Sequence, residues 1–166
     1  MADPPDPPYW LQHLNNVGKL QTGYADSDIT LWLADRSESN ERAFIRGLQD
    51  VSGVTEVYAK RKAGDGYHYE QVYSNLEKQS AAFRSWASRH SEELANTMAS
   101  ASGPDLIALL ADGYGFGRIG GHGGAQEKVQ RIPMIIRVPG ESPSTRTVPL
   151  RLMDLHPEIA RVLGLA

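Results

Sequence analysis

His122 sits in the run Gly120-Gly-His-Gly-Gly124, between the apolar segments Asp105–Asp112 and Arg131–Ile136. A neutral imidazole is both a common metal ligand and a proton carrier near neutral pH. Glycines on either side free the backbone to take positive φ and to approach an ion or a phosphate closely. The chain has no cysteine, which excludes disulfides, thiolate zinc sites and thiol nucleophiles, so any metal must be held by His, Asp or Glu. Further ligands around His122 would come from Asp112, at the carboxyl end of an expected strand, or from Asp154 and His156 near the terminus. The ordinary roles weigh more for the two aspartates, Asp112 as a strand-end turn former and Asp154 as a helix N-cap. His13, His68 and His90 read as surface or helix-flank residues.

Gly115-Phe-Gly-Arg-Ile-Gly120 fits the dinucleotide pattern G-x-G-x-x-G. That fingerprint needs a helix starting inside the glycines, and Gly120-Gly-His-Gly-Gly124 would be a very poor first helical turn, so nucleotide binding ranks last. A formal charge of −3 argues against a general nucleic-acid binder. Between Arg118 and Arg151, however, six basic residues face only Glu127 and Glu141, an excess suited to an anion near His122 or to a solvated face.

These residues have to be positioned by elements legible as patterns. A chain of 166 residues can bury roughly two thirds of its unfolded surface in one core. Residues 1–9, acidic and proline-rich, read as a disordered leader without the features of a signal peptide. A short helix is expected over Trp10–Leu20 and a strand over Asp28–Ala34, followed by a helix over Ser37–Asp50 with Glu41 in its first turn. Val54–Ala59 is a second strand, and Ala63-Gly-Asp-Gly66 turns it into Tyr67–Tyr73. Residues 10–75 thus predict a small β-α-β-β subdomain, half of a ferredoxin-like fold. Leu76 to about Met98 predicts a long helix within 76–102, with Leu76, Phe83, Trp86, His90 and Leu94 near one stripe. In 103–166, the apolar runs Asp105–Ala111 and Ile132–Val138 read as strands buried on both faces, forming a second sheet. Pro157–Gly164 predicts a closing helix. No apolar run approaches the roughly 20 residues of a membrane span, so a soluble chain is expected, with the cytoplasm slightly favoured.

Several stretches together carry a resemblance. Pro104–Gly117 with its Asp-Gly-Tyr-Gly-Phe-Gly, then Gly-Gly-His-Gly-Gly124, Ile132-Pro-Met-Ile-Ile136 with Val138-Pro-Gly140, and Val148–Leu165 resemble the C-terminal end of the alkaline phosphatase superfamily. Within it, they are most similar to the type I phosphodiesterase/nucleotide pyrophosphatase branch. Residues 28–60 resemble more loosely an inserted small subdomain of such proteins. The resemblance implies an α/β fold with a mixed sheet of the alkaline-phosphatase-like type, present in part. It also implies a phosphate-ester substrate and two metal ions, usually zinc, clamping the attacking and leaving oxygens. His122 matches the late His-Gly motif and is the one metal ligand that carries over; no catalytic residue does. The family's nucleophile, early Asp, Asp/His pair and Asp-His-Gly motif belong upstream of Met1, and Asp112-Gly113 aligns with the later Gly-Tyr segment instead. The chain is therefore expected to be the C-terminal portion of a metal-dependent phosphoesterase, inactive alone and completed by an N-terminal part or partner chain. The alternative is a non-catalytic interaction or regulatory module on the same scaffold. Apolar faces left uncovered at Ile107 and Ile135 would make the chain self-associate.

Overall fold

The computed structural model describes residues 13–116, 123–135, 137, 140, 142–145 and 151–165. They fall into two units that divide after Ile132. The first unit contains β1 (Leu20–Ala25), β2 (Asp28–Leu33), α1 (Glu38–Gln49), β3 (Val54–Ala63), β4 (Gly66–Ser74), α2 (Ala81–Asn96), β5 (Leu106–Leu110) and the short α3 (Glu127–Gln130). The second contains α4 (Leu155–Val162), preceded by a 3-10 turn over Leu152–Asp154.

β5 is a Leu-Ile-Ala-Leu-Leu run with all five residues buried, the composition of a strand covered on both faces. It lies at the centre of one five-stranded sheet, in the order β1-β2-β5-β3-β4. Because side chains alternate along a strand, Leu106, Ala108 and Leu110 join the core beneath α1, with Phe44, Leu48 and Leu31. Ile107 and Leu109 join the opposite core, with Tyr58, Tyr69 and Ala95 of α2. α1 and α2 each start on a serine: Ser37 Oγ accepts from the Asn40 N–H and Ser80 Oγ from the Phe83 N–H. Trp86, Ala87, Ser91 and Ala95 form the buried stripe of α2, with Leu94 packed beside it.

Several sequence expectations change here. All strand pairings among the described residues are antiparallel, in place of a mixed sheet. Leu20 opens a strand where a helix was expected to end, and helix within the described part of 10–20 is confined to 13–15. The β-α-β-β reading thus gains a strand at its front. β1 is masked in sequence by Gly23 and by a bulge between Leu20 and Thr22, both of which break a clean alternation. There is no second sheet among the described residues, because β5 slots between β2 and β3 and pairs through both of its edges. The apolar run 132–138 is not a strand where it is described, and Ile132 and Ile135 are 74% and 91% exposed. Hydrophobicity alone did not place that segment, since an extended run is a strand only with a neighbour to hydrogen-bond.

In the second unit, Asp154 Oδ2 accepts from the Arg151 N–H at 2.9 Å, and Glu158 pairs with Arg161 at 2.8 Å one turn along. The expected closing helix is present with Pro157 in its first turn, and Gly164 follows it in the left-handed conformation at φ +65°.

Candidate functional site

β1 and β2 are joined by the turn Asp26-Ser-Asp28, in which the Asp26 N–H donates to the Asp28 carbonyl at 2.9 Å. The turn lies at the end of the sheet where β5 finishes, since Asp28 is in register with Leu109. Beyond β5, the chain runs over this same end. The Ala111 N–H donates to the Gly53 carbonyl at 2.8 Å, and the Phe116 N–H to the Asp26 carbonyl at 2.8 Å.

The end of the glycine run, at Gly124, lies against that turn. His122, the metal-ligand candidate, lies outside the described residues, as do Gly117 to Gly121. Gly123 and Gly124 follow it with φ of +85° and +86°, a conformation that L side chains rarely adopt. A Cβ on Gly124 would lie 2.7 Å from Ser27 Cβ and 2.3 Å from Gln126 Oε1, whereas one on Gly123 would meet open space. Immediately afterwards the segment is fastened. The Trp86 indole N–H donates to the Ala125 carbonyl at 2.7 Å, and Gln126 Nε2 donates to the Leu110 carbonyl at 3.2 Å. The described residues on either side of 117–122 therefore both approach one acidic turn, Phe116 through its hydrogen bond to Asp26 and Gly124 by close packing on Ser27.

This arrangement predicts a graded response to alanine. Gly124→Ala combines strained φ with a steric clash and should cost about 2 kcal/mol or more, while Gly123→Ala should cost about 1 kcal/mol from φ alone. Urea unfolding of the two variants checks the order; equal losses would contradict the close approach to Ser27.

Electrostatically the turn is strained toward the protonated acid. Burial, and then the charge of Asp26, push the Asp28 carboxyl above its ordinary value. A raised folded-state pKa means that the native state holds its proton more tightly than the unfolded chain. Asp28 therefore contributes most stability below the ordinary carboxylate range and loses it as pH rises through the raised value. Asp28→Asn should accordingly stabilise the fold at pH 7, with the gain shrinking below about pH 4. Thermal melts across pH 3–7 would show this as converging curves; parallel curves would contradict it.

Asp112 follows β5, is exposed, and pairs with Lys128 Nζ at 3.5 Å. Asp154 and His156 belong to the second unit, where Asp154 receives the Arg151 N–H. Asp26, Asp28 and Asp112 do not make a metal centre: among the described residues no group of three or more His, Asp or Glu could hold an ion. The described donors do not by themselves fit the zinc site that the resemblance implies. The acidic turn escaped sequence reading because Asp28 opens the expected strand Asp28–Ala34 and Asp26 falls in the unassigned stretch before it. A β-rich run on each side of Asp-Ser-Asp is the signal that could have found it.

No protein-family model, curated protein or solved structure matches this chain.

Proposed function

We propose that this chain is the C-terminal portion of a metal-dependent phosphoesterase, with His122 supplying one ligand and with nucleophile and remaining ligands coming from residues outside this sequence. Two things support the reading: the resemblance across residues 103–165, and the seating of the glycine run. The second carries it. Gly124, two residues after His122, takes a backbone conformation and a closeness to Ser27 that require glycine, and it sits at the turn that bears Asp26 and Asp28. Residues 124–126, fastened in that way, give His122 a fixed neighbour in sequence, and a metal site depends on positioning as much as on charge. Alone, the 166 residues hydrolyse no aryl phosphodiester.

The test is the native product, captured from source cells with an antibody to residues 151–166 and assayed for mass, zinc content and hydrolysis of an aryl phosphodiester. The expected species is several times heavier than the 166-residue chain, carries zinc and is active. His122→Ala in that species should weaken zinc by more than the roughly 10–100-fold that loss of an outer-shell partner costs. A native species the size of this chain, without zinc, would overturn the reading.

That outcome would favour the second reading, a non-catalytic interaction module that self-associates. Its supporting observation is the exposure of Ile135, Leu152 and Leu165 at 91%, 82% and 76%, apolar side chains of the kind that mark interaction surfaces when contiguous. Sedimentation at rising concentration separates the cases, since a strictly monomeric chain would count against self-association.

A further inference from the structure

The opposite end of the sheet, where β2 and β3 finish and β5 begins, carries chemistry that the glycine loop does not use. A hollow of about 280 Å³ opens there among Arg36, Lys60, Arg61 and Lys62, with Glu41 and Asp105 in its wall. Four cations thus face two carboxylates. Two of the cations are spent on the protein. Arg61 holds both oxygens of Glu41 at 2.8 and 2.9 Å and Glu70 at 3.0 Å. Lys60, with only 7% of its side chain exposed, is shared among Asp105 and the carbonyls of Gly103 and Ala101.

The other two are available. Arg36 Nε lies 3.2 Å from Asp105 Oδ1, its two terminal amino groups make no hydrogen bond among the described residues, and its side chain is 64% exposed. Lys62 is exposed and likewise without a protein partner among the described residues. A second hollow of about 400 Å³ meets the first at Arg36 and is lined by the Trp32 indole with Thr22, Gln21 and Ala101. The indole is held there by donating to the Ser102 carbonyl at 2.9 Å, so the ring is fixed and its polar edge already satisfied.

We infer that these adjoining hollows form one binding site for a small oxyanion that carries a planar ring, the anion held by Arg36 and Lys62 and the ring laid against Trp32. A guanidinium with two unused amino groups suits the paired oxygens of a phosphate or carboxylate. A fixed indole offers a face for stacking at little cost in side-chain freedom. The site needs no metal and is independent of His122.

The test titrates phenyl phosphate and inorganic phosphate, in EDTA at low ionic strength, into the full chain and follows amide and indole N–H chemical shifts. Saturable shifts should centre on Arg36, Lys62 and the Trp32 indole. Lys62→Glu, an exposed change that leaves the fold intact, should weaken both probes roughly tenfold, as should Arg36→Gln. Phenyl phosphate should bind about fivefold more tightly than phosphate, a preference that Trp32→Leu removes. His122→Ala should change nothing, which separates this site from the phosphoesterase reading. Absence of saturation, or affinities unmoved by Lys62→Glu, would overturn the inference. Equal binding of the two probes by the unaltered chain would remove the ring from it.

Discussion

Asp105→Ala should lower the unfolding free energy by about 3–5 kcal/mol, because it strips a buried ion pair of one partner. The Asp105 carboxylate is 9% exposed, faces Lys60 Nζ at 3.4 Å, and accepts the Leu33 N–H at 2.9 Å through its other oxygen. Its backbone is equally engaged: the Asp105 N–H donates to the Leu31 carbonyl at 2.7 Å, and its own carbonyl accepts from the Lys60 N–H at 2.9 Å. One residue thus ties the entry of β5 to both of its neighbours, β2 and β3. Alanine leaves that backbone in place but abandons the Lys60 ammonium, whose remaining hydrogen-bond partners are the uncharged carbonyls of Gly103 and Ala101. Asp105→Asn keeps an acceptor for Leu33 and should lose less. Asp105→Ala combined with Lys60→Met should recover much of the loss, since an apolar pair can replace a buried ion pair at little cost. Urea unfolding of the three variants checks the series; a loss below about 1 kcal/mol for Asp105→Ala would mean that the pair behaves as a solvated surface contact.

The second large effect is expected at Glu56, a carboxylate only 1% exposed with no cation among its hydrogen-bond partners. Three neutral donors hold it. The Tyr58 hydroxyl donates to Oε1 at 2.9 Å, Gln71 Nε2 to the same oxygen at 2.7 Å, and the Ser91 hydroxyl to Oε2 at 2.7 Å. Burial first, and the Glu56 charge second, raise the Tyr58 phenol far above its ordinary value, so it remains a donor at every working pH. These bonds join β3, β4 and α2 through one side chain. Glu56→Leu leaves two buried hydroxyls without their acceptor, each costing about 1–3 kcal/mol, so a total loss of about 3 kcal/mol or more is expected. Glu56→Gln keeps oxygen acceptance and should be milder, and Ser91→Ala milder still. Hydrogen exchange gives the diagnostic readout: amides of α2 should lose protection in Glu56→Leu before those of α1, which packs on the other face of the sheet. Uniform loss across both helices would show that Glu56 supports the whole fold rather than the docking of α2.

Local pattern determined much of this protein. Ser37 and Ser80 mark their helices because a serine before an amphipathic run satisfies a free N–H, and that geometry is internal to a few residues. The hairpin at Ala63–Gly66 and the burial of Leu106–Leu110 on both faces were legible for the same reason, as turn chemistry and an unbroken apolar run. The glycine run was legible as a place needing left-handed backbone, and Gly123 and Gly124 adopt it. Sequence alone also selected His122 as the residue to test, by its neighbours and by resemblance.

Tertiary structure alone decided what sits beside what. The position of β5 between β2 and β3 follows from pairing over about 50 to 80 residues of chain, which no local period encodes. The same placement carries Asp105 onto Lys60, brings Ser91 of α2 over Glu56, and returns Gly124 to Ser27. Ile135 shows the converse, an apolar residue in a strand-like run that forms no strand where it is described and stands 91% exposed. Composition states what a segment would bury; only the assembled sheet supplies the partner that lets it do so.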